Sequence, residues 1–163
     1  MTEKELLLRN LDQAFDARAW HGTNLRGSLR GLALDVVTFR PQPERHNVWE
    51  LTVHCAYWKY AVRRRLTGEK RGSFPLEGSN FFARPSAGDA GASESAWKAD
   101  LRLLDEMHAA LREVIEALPA KRMGERTKGS QFANRDTILG IAAHDLYHAG
   151  QIQLLKRQAR NED

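Results

Sequence analysis

Apolar residues recur at helical spacing along four long stretches of the chain, and each stretch begins with a residue suited to capping a helix. The first opens with a capping box, in which Thr2 is the N-cap and Glu5 lies three residues on, and its apolar positions continue to about Ala19. The second begins at Asn47 and closes at Gly68, a suitable residue just past a helix end. We therefore predict a helix over each range.

Two further long helices are predicted nearer the C-terminus. One begins at Ser93 and carries apolar residues on a 3-4 repeat, which indicates a bundle seam, until Pro119 stops it. The other is predicted to be capped by Asp136 or Thr137 and to run to about Gln158.

The connecting segments differ in character. Residues 24–32 predict a short helical piece, residues 40–43 a proline-containing loop, and residues 121–135 a polar connection. The segment 69–92 is longer than an ordinary bundle loop and contains three phenylalanines, Phe74, Phe81 and Phe82. Two interpretations stay open: the segment covers a pocket, or it crosses the surface and is anchored by its aromatic rings.

No segment has the pattern of a β-strand, so we predict an all-α four-helix bundle with long connections, forming a single domain over residues 1–163. The chain is 42% hydrophobic and 28% charged, which is typical of a soluble globular protein. No stretch approaches about 20 apolar residues, so no membrane partner is expected. The single cysteine, Cys55, allows no intramolecular disulfide, should pack as a small apolar residue and favours a reducing, cytoplasmic location.

The net charge of the chain gives only weak evidence about its binding partners. Lys and Arg exceed Asp and Glu by 25 to 21, and the excess is partly clustered, as at residues 63–65. Nucleic-acid-binding proteins usually carry a more continuous basic stripe. The charge therefore permits a nucleic-acid partner without implying one. We expect a small-molecule partner and regard nucleic-acid binding through the arginine cluster at 63–65 as the lesser alternative.

Candidate chemistry begins with His144 and His148, which lie four residues apart on the predicted last helix. Their Cβ atoms should be about 5–6 Å apart on one helix face. The rest of that face is apolar, with Ile141, Ile152 and Leu155, so both imidazoles should point inward. Burying two imidazoles without partners is costly, which makes a metal-ligand role worth considering beside simple packing.

A third inward histidine completes a candidate site. His54 lies on the inner side of the second long helix between Leu51 and Trp58, and Trp58 is a candidate pocket residue. His54, His144 and His148 would make a three-nitrogen metal site. Three protein ligands with an open position are typical of a catalytic metal, whereas a structural zinc takes four. Imidazole suits Zn, Ni, Cu and Fe, so the ligands alone do not choose the metal.

Four more residues are candidates for lining the pocket or supporting the ligands. His108 occupies a seam position and is either a fourth ligand or a satisfied core residue. Asp145 lies about 100° round the helix from His144 and should stand behind the ligands or on the surface. Gln151 could line the pocket. Glu50 either supports an imidazole N–H or completes the helix cap.

Two other metal sites fail on spacing. The sequence at 144–148 imitates the HExxH peptidase motif, but its aspartate is too short for the usual base role. A di-iron carboxylate bundle needs two Glu-x-x-His pairs, and the chain offers only Asp105 with His108. His21 and His46 lie beside helix breaks and should be exposed or capping residues.

Two segments together resemble a known family. NVWELTVHCAYWKYAVRRRLTG at 47–68 and HDLYHAGQI at 144–152 are similar to the DinB/YfiT-like family of metalloenzymes, and the segments at 19–22 and 74–78 also fit one of its branches. The resemblance spans nearly the whole chain.

The resemblance implies a four-helix bundle, often dimeric, with a divalent ion held by residues that map onto His54, His144 and His148. Relatives of known activity include S-transferases that use bacillithiol, mycothiol or glutathione, and thiol-dependent isomerases; the family implies no DNA binding. We therefore expect a homodimeric enzyme that uses Zn, Ni or Fe and a thiol cosubstrate to transfer sulfur. A non-catalytic dimeric stress-related bundle and a metal-dependent hydrolase are the alternatives.

Overall fold

The computed structural model describes residues 1–127 and 130–161, and this part of the chain contains α-helices and no β-strand. The helices are α1 (Glu3–Phe15), α2 (Leu25–Leu29), α3 (Leu34–Thr38), α4 (Val48–Thr67), α5 (Glu94–Ala117) and α6 (Asn134–Asn161), with a 3-10 helix at Ala120–Gly124. The predicted all-α class is confirmed. No helix in the described ranges is long and apolar enough to cross a bilayer.

Three of the predicted helix starts are confirmed by their caps. The Thr2 hydroxyl accepts the Glu5 N–H at 3.2 Å, and the Glu5 carboxylate accepts the Thr2 N–H at 2.7 Å. The side chains of Asn47 and Ser93 cap α4 and α5 by accepting the backbone N–H groups of Glu50 and Ala96. At the other end of α4, Gly68 adopts a left-handed φ of 80°, as the sequence predicted.

The first half of the chain departs from prediction in two places. Helix α1 ends at Phe15 rather than near Ala19, and the Asn24 side chain donates a hydrogen bond to the carbonyl of Ala17 at 2.9 Å beyond that end. The predicted piece at 24–32 forms helix only over α2, and α3 was missed. Both are five-residue helices, too short for an apolar period to emerge from the sequence.

The start of α6 is a further correction. The helix begins at Asn134, and Asp136 is its third residue rather than its cap. The Asp136 carboxylate accepts the N–H of Ala133 at 3.1 Å, which is the half of a capping box that an acidic third residue supplies. The helix also extends past Gln158 to Asn161.

The four long helices form a ring of neighbours: α4 packs on α5 and α6, and α1 packs on the same two helices. The face of α6 that was predicted to point inward does so, since Ile141, Ile152 and Leu155 are buried. The inner side of α4 is buried along nearly its whole length, including Trp49 and Leu66. The histidines of α4 and α6 therefore face each other across a packed interface.

The segment 69–92 forms no helix or strand and lies against α4. Phe82 is buried in the core with the tyrosines of α4, and Phe74 packs on the same cluster. Farther along, the Asn47 side chain donates to the carbonyl of Pro85 at 2.9 Å. These contacts hold the middle of the segment over the end of α4 that carries His54.

Candidate metal centre

Three histidine side chains meet where α4 faces α6. His144 Nε2 lies 3.0 Å from His54 Nε2 and 3.1 Å from His148 Nε2. The ligand-capable atoms of the three residues all lie within 4.8 Å of one another, and His54 and His148 are each only 4% exposed. The three histidines that the sequence selected are therefore brought together.

Hydrogen bonds fix the outer nitrogens of two rings. His54 Nδ1–H donates to the carbonyl of Asn80 at 2.8 Å, since a carbonyl can only accept. His148 Nδ1–H donates to Gln151 Oε1 at 2.7 Å. In neutral rings the proton at Nδ1 leaves a lone pair at Nε2, so both inner nitrogens are acceptors or metal ligands.

Burial keeps these rings neutral. It lowers the pKa of His144 to about 3, with help from the neighbouring His148 and His54, and lowers the pKa of His148 to about 4. Burial also lowers the pKa of His54, although its bond to Asn80 opposes that change. Neutral imidazole is the form that binds a metal.

The donor set fits a divalent transition ion. Two lone pairs from His54 and His148 converge on His144 Nε2, and a neutral His144 has one proton to offer. Zinc–nitrogen bonds of about 2.0–2.1 Å in a tetrahedral site place ligand nitrogens about 3.3 Å apart, close to the separations found here. A small outward shift of the three histidine side chains would therefore make room for an ion.

A cleft of about 880 Å³ opens over the three histidines. Its walls combine apolar, aromatic and amide side chains, and none of the residues that line it is acidic. They are Pro41, Gln42, Arg45, His46, Leu51, His54, Trp58, Asn80, Phe81, His144, Tyr147, His148, Gln151, Leu154, Leu155 and Gln158. The cluster is therefore reachable by a small molecule from one side.

Trp58 and Gln151, both predicted from sequence, lie in this cleft. The Trp58 ring centroid is 6.3 Å from that of His54 and 6.2 Å from that of His144. Gln151 accepts from His148 and donates through Nε2 to the Tyr147 hydroxyl at 3.2 Å. Tyr147 points off the inner face of α6, as expected, yet it lines the cleft mouth and is 63% exposed.

Glu50 does not bond to any of the three histidines. Its backbone N–H takes the Asn47 cap, and its carboxylate binds Arg40 at 2.6 and 2.9 Å and His46 Nδ1 at 2.9 Å. Burial alone would raise the pKa of Glu50, but the hydrogen bonds from Arg40 and His46 hold it below its ordinary value. The imidazole that Glu50 supports is thus His46 and not His54.

His108 lies apart from the three-histidine cluster. Its ring stacks on Phe15 of α1 with centroids 3.6 Å apart and planes within 8°. Burial lowers the pKa of His108 to about 3, so the ring is a neutral part of the core. The position of His108 agrees with its interpretation as a core residue and gives no support to its being a fourth metal ligand.

Asp145 is fully buried, so the predicted surface alternative is wrong. It forms an ion pair with Lys59 of α4, whose side chain is also completely buried. Lys59 was missed from the sequence, although it is the lone Lys, Arg, Asp or Glu between Glu50 and Arg63 on an otherwise enclosed helix. Burial raises the pKa of Asp145, and the nearby ammonium of Lys59 opposes that rise.

Cys55 of α4 also lies close to His144 and Asp145 of α6. Its sulfur lies within 4.8 Å of ligand atoms of His144 and Asp145. Burial raises the pKa of the Cys55 thiol well above its ordinary value, and Asp145 is already occupied by Lys59. Cys55 therefore packs as a small apolar residue, as expected, and this second group is a poor metal site.

Among the residues of the cleft wall that were not predicted as site residues, His46, Asn80 and Phe81 are linked to His54 directly or through one another. His46 is exposed, as expected, but its ring stacks on Phe81 with centroids 3.7 Å apart. Phe81 in turn stacks on His54 at 4.0 Å, beside Asn80. The aromatic content of segment 69–92 was the available signal: Phe81 lines the cleft, whereas Phe74 and Phe82 anchor the segment on α4, so each interpretation describes part of it.

The chain was compared with known proteins. Residues 17–152 match the family model of the DinB superfamily, a range that covers well over half of the chain and includes all three histidines. No curated protein and no solved structure matches the chain. The long family match and the all-helical fold agree with each other, and the chain belongs to the DinB superfamily.

Proposed function

We propose that the protein is a divalent-metal-dependent enzyme whose ion is held by His54, His144 and His148. The observation that carries this proposal is the convergence of three neutral Nε2 atoms at the floor of a cleft. Neutral ligands leave the positive charge of an ion uncompensated, and we propose Zn, Ni or Fe as the ion. A divalent ion bound there would act as a Lewis acid that stabilises a thiolate or a hydroxide.

Within this class we propose transfer of a low-molecular-weight thiol to an electrophilic small molecule. The thiol proton leaves to bulk water, the sulfur forms a bond to the electrophilic carbon, and the leaving group departs with its electron pair. A cleft of about 880 Å³ offers room for two small reactants, and its lining has no carboxylate that would repel an anionic thiol or substrate. Arg45 lies in the same lining and adds a positive charge.

The residues around the cluster have separate tasks in this proposal. Gln151 holds His148 through Nδ1 and keeps its inner nitrogen free of a proton. Trp58 and Phe81 give the reacting sulfur an apolar wall beside the histidines. Tyr147, bonded to Gln151, places a hydroxyl at the cleft mouth where it could orient a polar group of the substrate.

The proposal predicts that His148→Ala loses both metal and thiol transfer. Removing supporting residues around a metal typically costs 10- to 100-fold in affinity, so removal of a ligand should cost at least about 100-fold. Metal content would be measured by elemental analysis of protein purified without an affinity tag. Conjugation of glutathione and other thiols to a reactive aryl halide would be followed in the same samples.

His21→Ala is the matched control, because His21 is exposed and lies outside the cluster and the cleft. It should keep the metal content and activity of the wild type. A His148→Ala protein with full metal and full activity would sink the proposal. Metal binding with hydrolysis of activated esters but no thiol transfer would favour the hydrolase instead, and metal binding without any turnover would favour a non-catalytic bundle.

A further inference from the structure

Asn80 has an unusual backbone for a residue that carries a side chain. Its φ is 68°, and among the described residues it is the one non-glycine with a positive φ. This left-handed conformation is uncommon for residues other than glycine, although asparagine tolerates it better than most. Such conformations tend to persist where the surrounding structure requires them, often at functional sites.

The backbone conformation directs both acceptors of Asn80 at α4. The main-chain carbonyl accepts His54 Nδ1–H at 2.8 Å, and the side-chain Oδ1 accepts the indole N–H of Trp58 at 3.0 Å. His54 and Trp58 are one helical turn apart on α4. One residue of an irregular segment therefore holds a candidate metal ligand and the wall of the cleft beside it.

Phe81, the next residue, also contacts His54. Phe81 is nearly parallel to His54, at 11° and 4.0 Å, and nearly parallel to His46, at 5° and 3.7 Å. Two parallel rings this close to Phe81 cannot share one of its faces, so Phe81 lies between them. Asn80 fixes which nitrogen of His54 carries the proton, and Phe81 fixes the plane of its ring.

The segment is itself tied to the N-terminal turn of α4. The N–H of Arg84 donates to Glu50 Oε1 at 3.3 Å, and Arg84 Nε binds Asp100 of α5 at 2.7 Å. Arg40 donates to the carbonyl of Arg84 at 3.2 Å and bridges it to Glu50. The loop that carries Asn80 is therefore held by a partly buried network of ion pairs and hydrogen bonds.

We propose that Asn80 is a positioning residue of the metal centre, and this rests on the proposed function. Its main-chain carbonyl holds His54 in the Nδ1–H tautomer, with the Nε2 lone pair directed at His144 and His148. The left-handed backbone is what aims that carbonyl. The side chain has a separate role, which is to hold Trp58.

Two substitutions separate the backbone from the side chain. Asn80→Gly keeps the left-handed conformation and the carbonyl but removes the bond to Trp58. Asn80→Val disfavours the conformation itself, so it should displace the carbonyl. Folding of each variant is checked by circular dichroism and thermal unfolding without metal. If Asn80→Val does not fold, Asn80→Ala takes its place, because alanine disfavours the left-handed conformation less strongly than valine.

Two measurements read the outcome. The first is the dissociation constant for Zn²⁺ alone, obtained by chelator competition on untagged protein. The second is the tautomer of His54 in metal-free protein, read from the ¹⁵N shifts of its ring at mildly alkaline pH. We expect Asn80→Val to weaken Zn²⁺ binding by about 10- to 100-fold and to mix the tautomers, whereas Asn80→Gly should match the wild type in both measurements. Trp58→Phe, which leaves Asn80 intact, should also keep the tautomer.

The possible failures are distinguishable. Zn²⁺ binding and a tautomer that are both unchanged in Asn80→Val would overturn the positioning role and leave the metal centre standing. An equal loss in Asn80→Gly would assign the effect to the side chain and would overturn the role of the carbonyl. A wild-type protein with a fixed Nδ1–H tautomer but no affinity for Zn²⁺, Ni²⁺ or Fe²⁺ would refute the proposed function while the hydrogen bond from His54 to Asn80 remained.

Discussion

Two polar clusters connect α4 to α6, and they solve the problem of buried polar groups in opposite ways. His54 and His144 belong to the first cluster, and Lys59 and Asp145 belong to the second. The ion pair is closed, because each charge meets its opposite and neither side chain reaches solvent. The histidine cluster is open. Its three imidazoles stay neutral, their Nε2 atoms face one another, and a cleft lies above them.

This difference separates structural polarity from candidate chemistry. Charges that neutralise each other inside the protein need no outside partner, and they hold two helices in one register. The lone pairs of His54 and His148 both face His144 Nε2, which can donate to only one of them, so at least one lone pair is left for a bound cation. Histidine and aspartate are adjacent at residues 144–145, so neighbouring positions on one helix serve the two purposes.

The largest expected effect comes from breaking the closed cluster. Removing one partner of a buried ion pair leaves an uncompensated charge and typically costs about 3–5 kcal/mol of unfolding free energy. We expect Lys59→Met to destabilise the protein by that amount, measured by urea denaturation of the metal-free form. The double variant Lys59→Met, Asp145→Leu should recover most of the loss, because apolar groups of similar size can replace a buried pair.

The exposed pair of Lys98 and Glu94 provides the control. These side chains are 3.5 Å apart and 63% and 59% exposed, so Lys98→Met should cost less than about 0.5 kcal/mol. If the double variant at 59 and 145 were no more stable than Lys59→Met alone, the pair would not be the source of the loss.

A smaller effect should follow from filling the open cluster. A ligand that binds only the folded state stabilises it by about 2.7 kcal/mol when its concentration is 100 times its dissociation constant. We expect Zn²⁺ at that excess to raise the unfolding free energy of the wild type by about this amount. His144→Asn should abolish the increment, whereas the double variant at Lys59 and Asp145 should keep it if the two clusters are independent.

The sequence was most informative where periodicity and caps act over many residues. The long helices and the inward face of α6 followed from patterns that repeat along whole helices, and His54, His144 and His148 were selected because they lie on such faces. Helices α2 and α3 are too short for that, and the start of α6 depends on a carboxylate that caps from inside the helix.

The cleft wall was harder to predict because it comes from an irregular segment. The bond from His54 to Asn80 depends on a backbone conformation that no periodicity encodes, and the stack of His46 on Phe81 joins residues from separate connections. Lys59 was missed for a different reason. A charged residue on a helix is ordinarily assigned to solvent, and its burial depends on an opposite charge supplied by another helix.

The smallest expected effect tests the neutrality of the open cluster. In metal-free protein the folded-state pKa values of His144 and His148, about 3 and about 4, lie below the ordinary value of 6.5, so the unfolded chain binds more protons than the folded one as pH falls. Stability should therefore be greatest above pH 6.5 and fall toward pH 4. Each histidine contributes about 1 kcal/mol for the first unit below 6.5, which His148→Gln should remove from the slope measured by urea denaturation across that range. A slope unchanged in His148→Gln would mean that His148 already titrates normally, and the contrast between a neutral open cluster and a charged closed one would then fail.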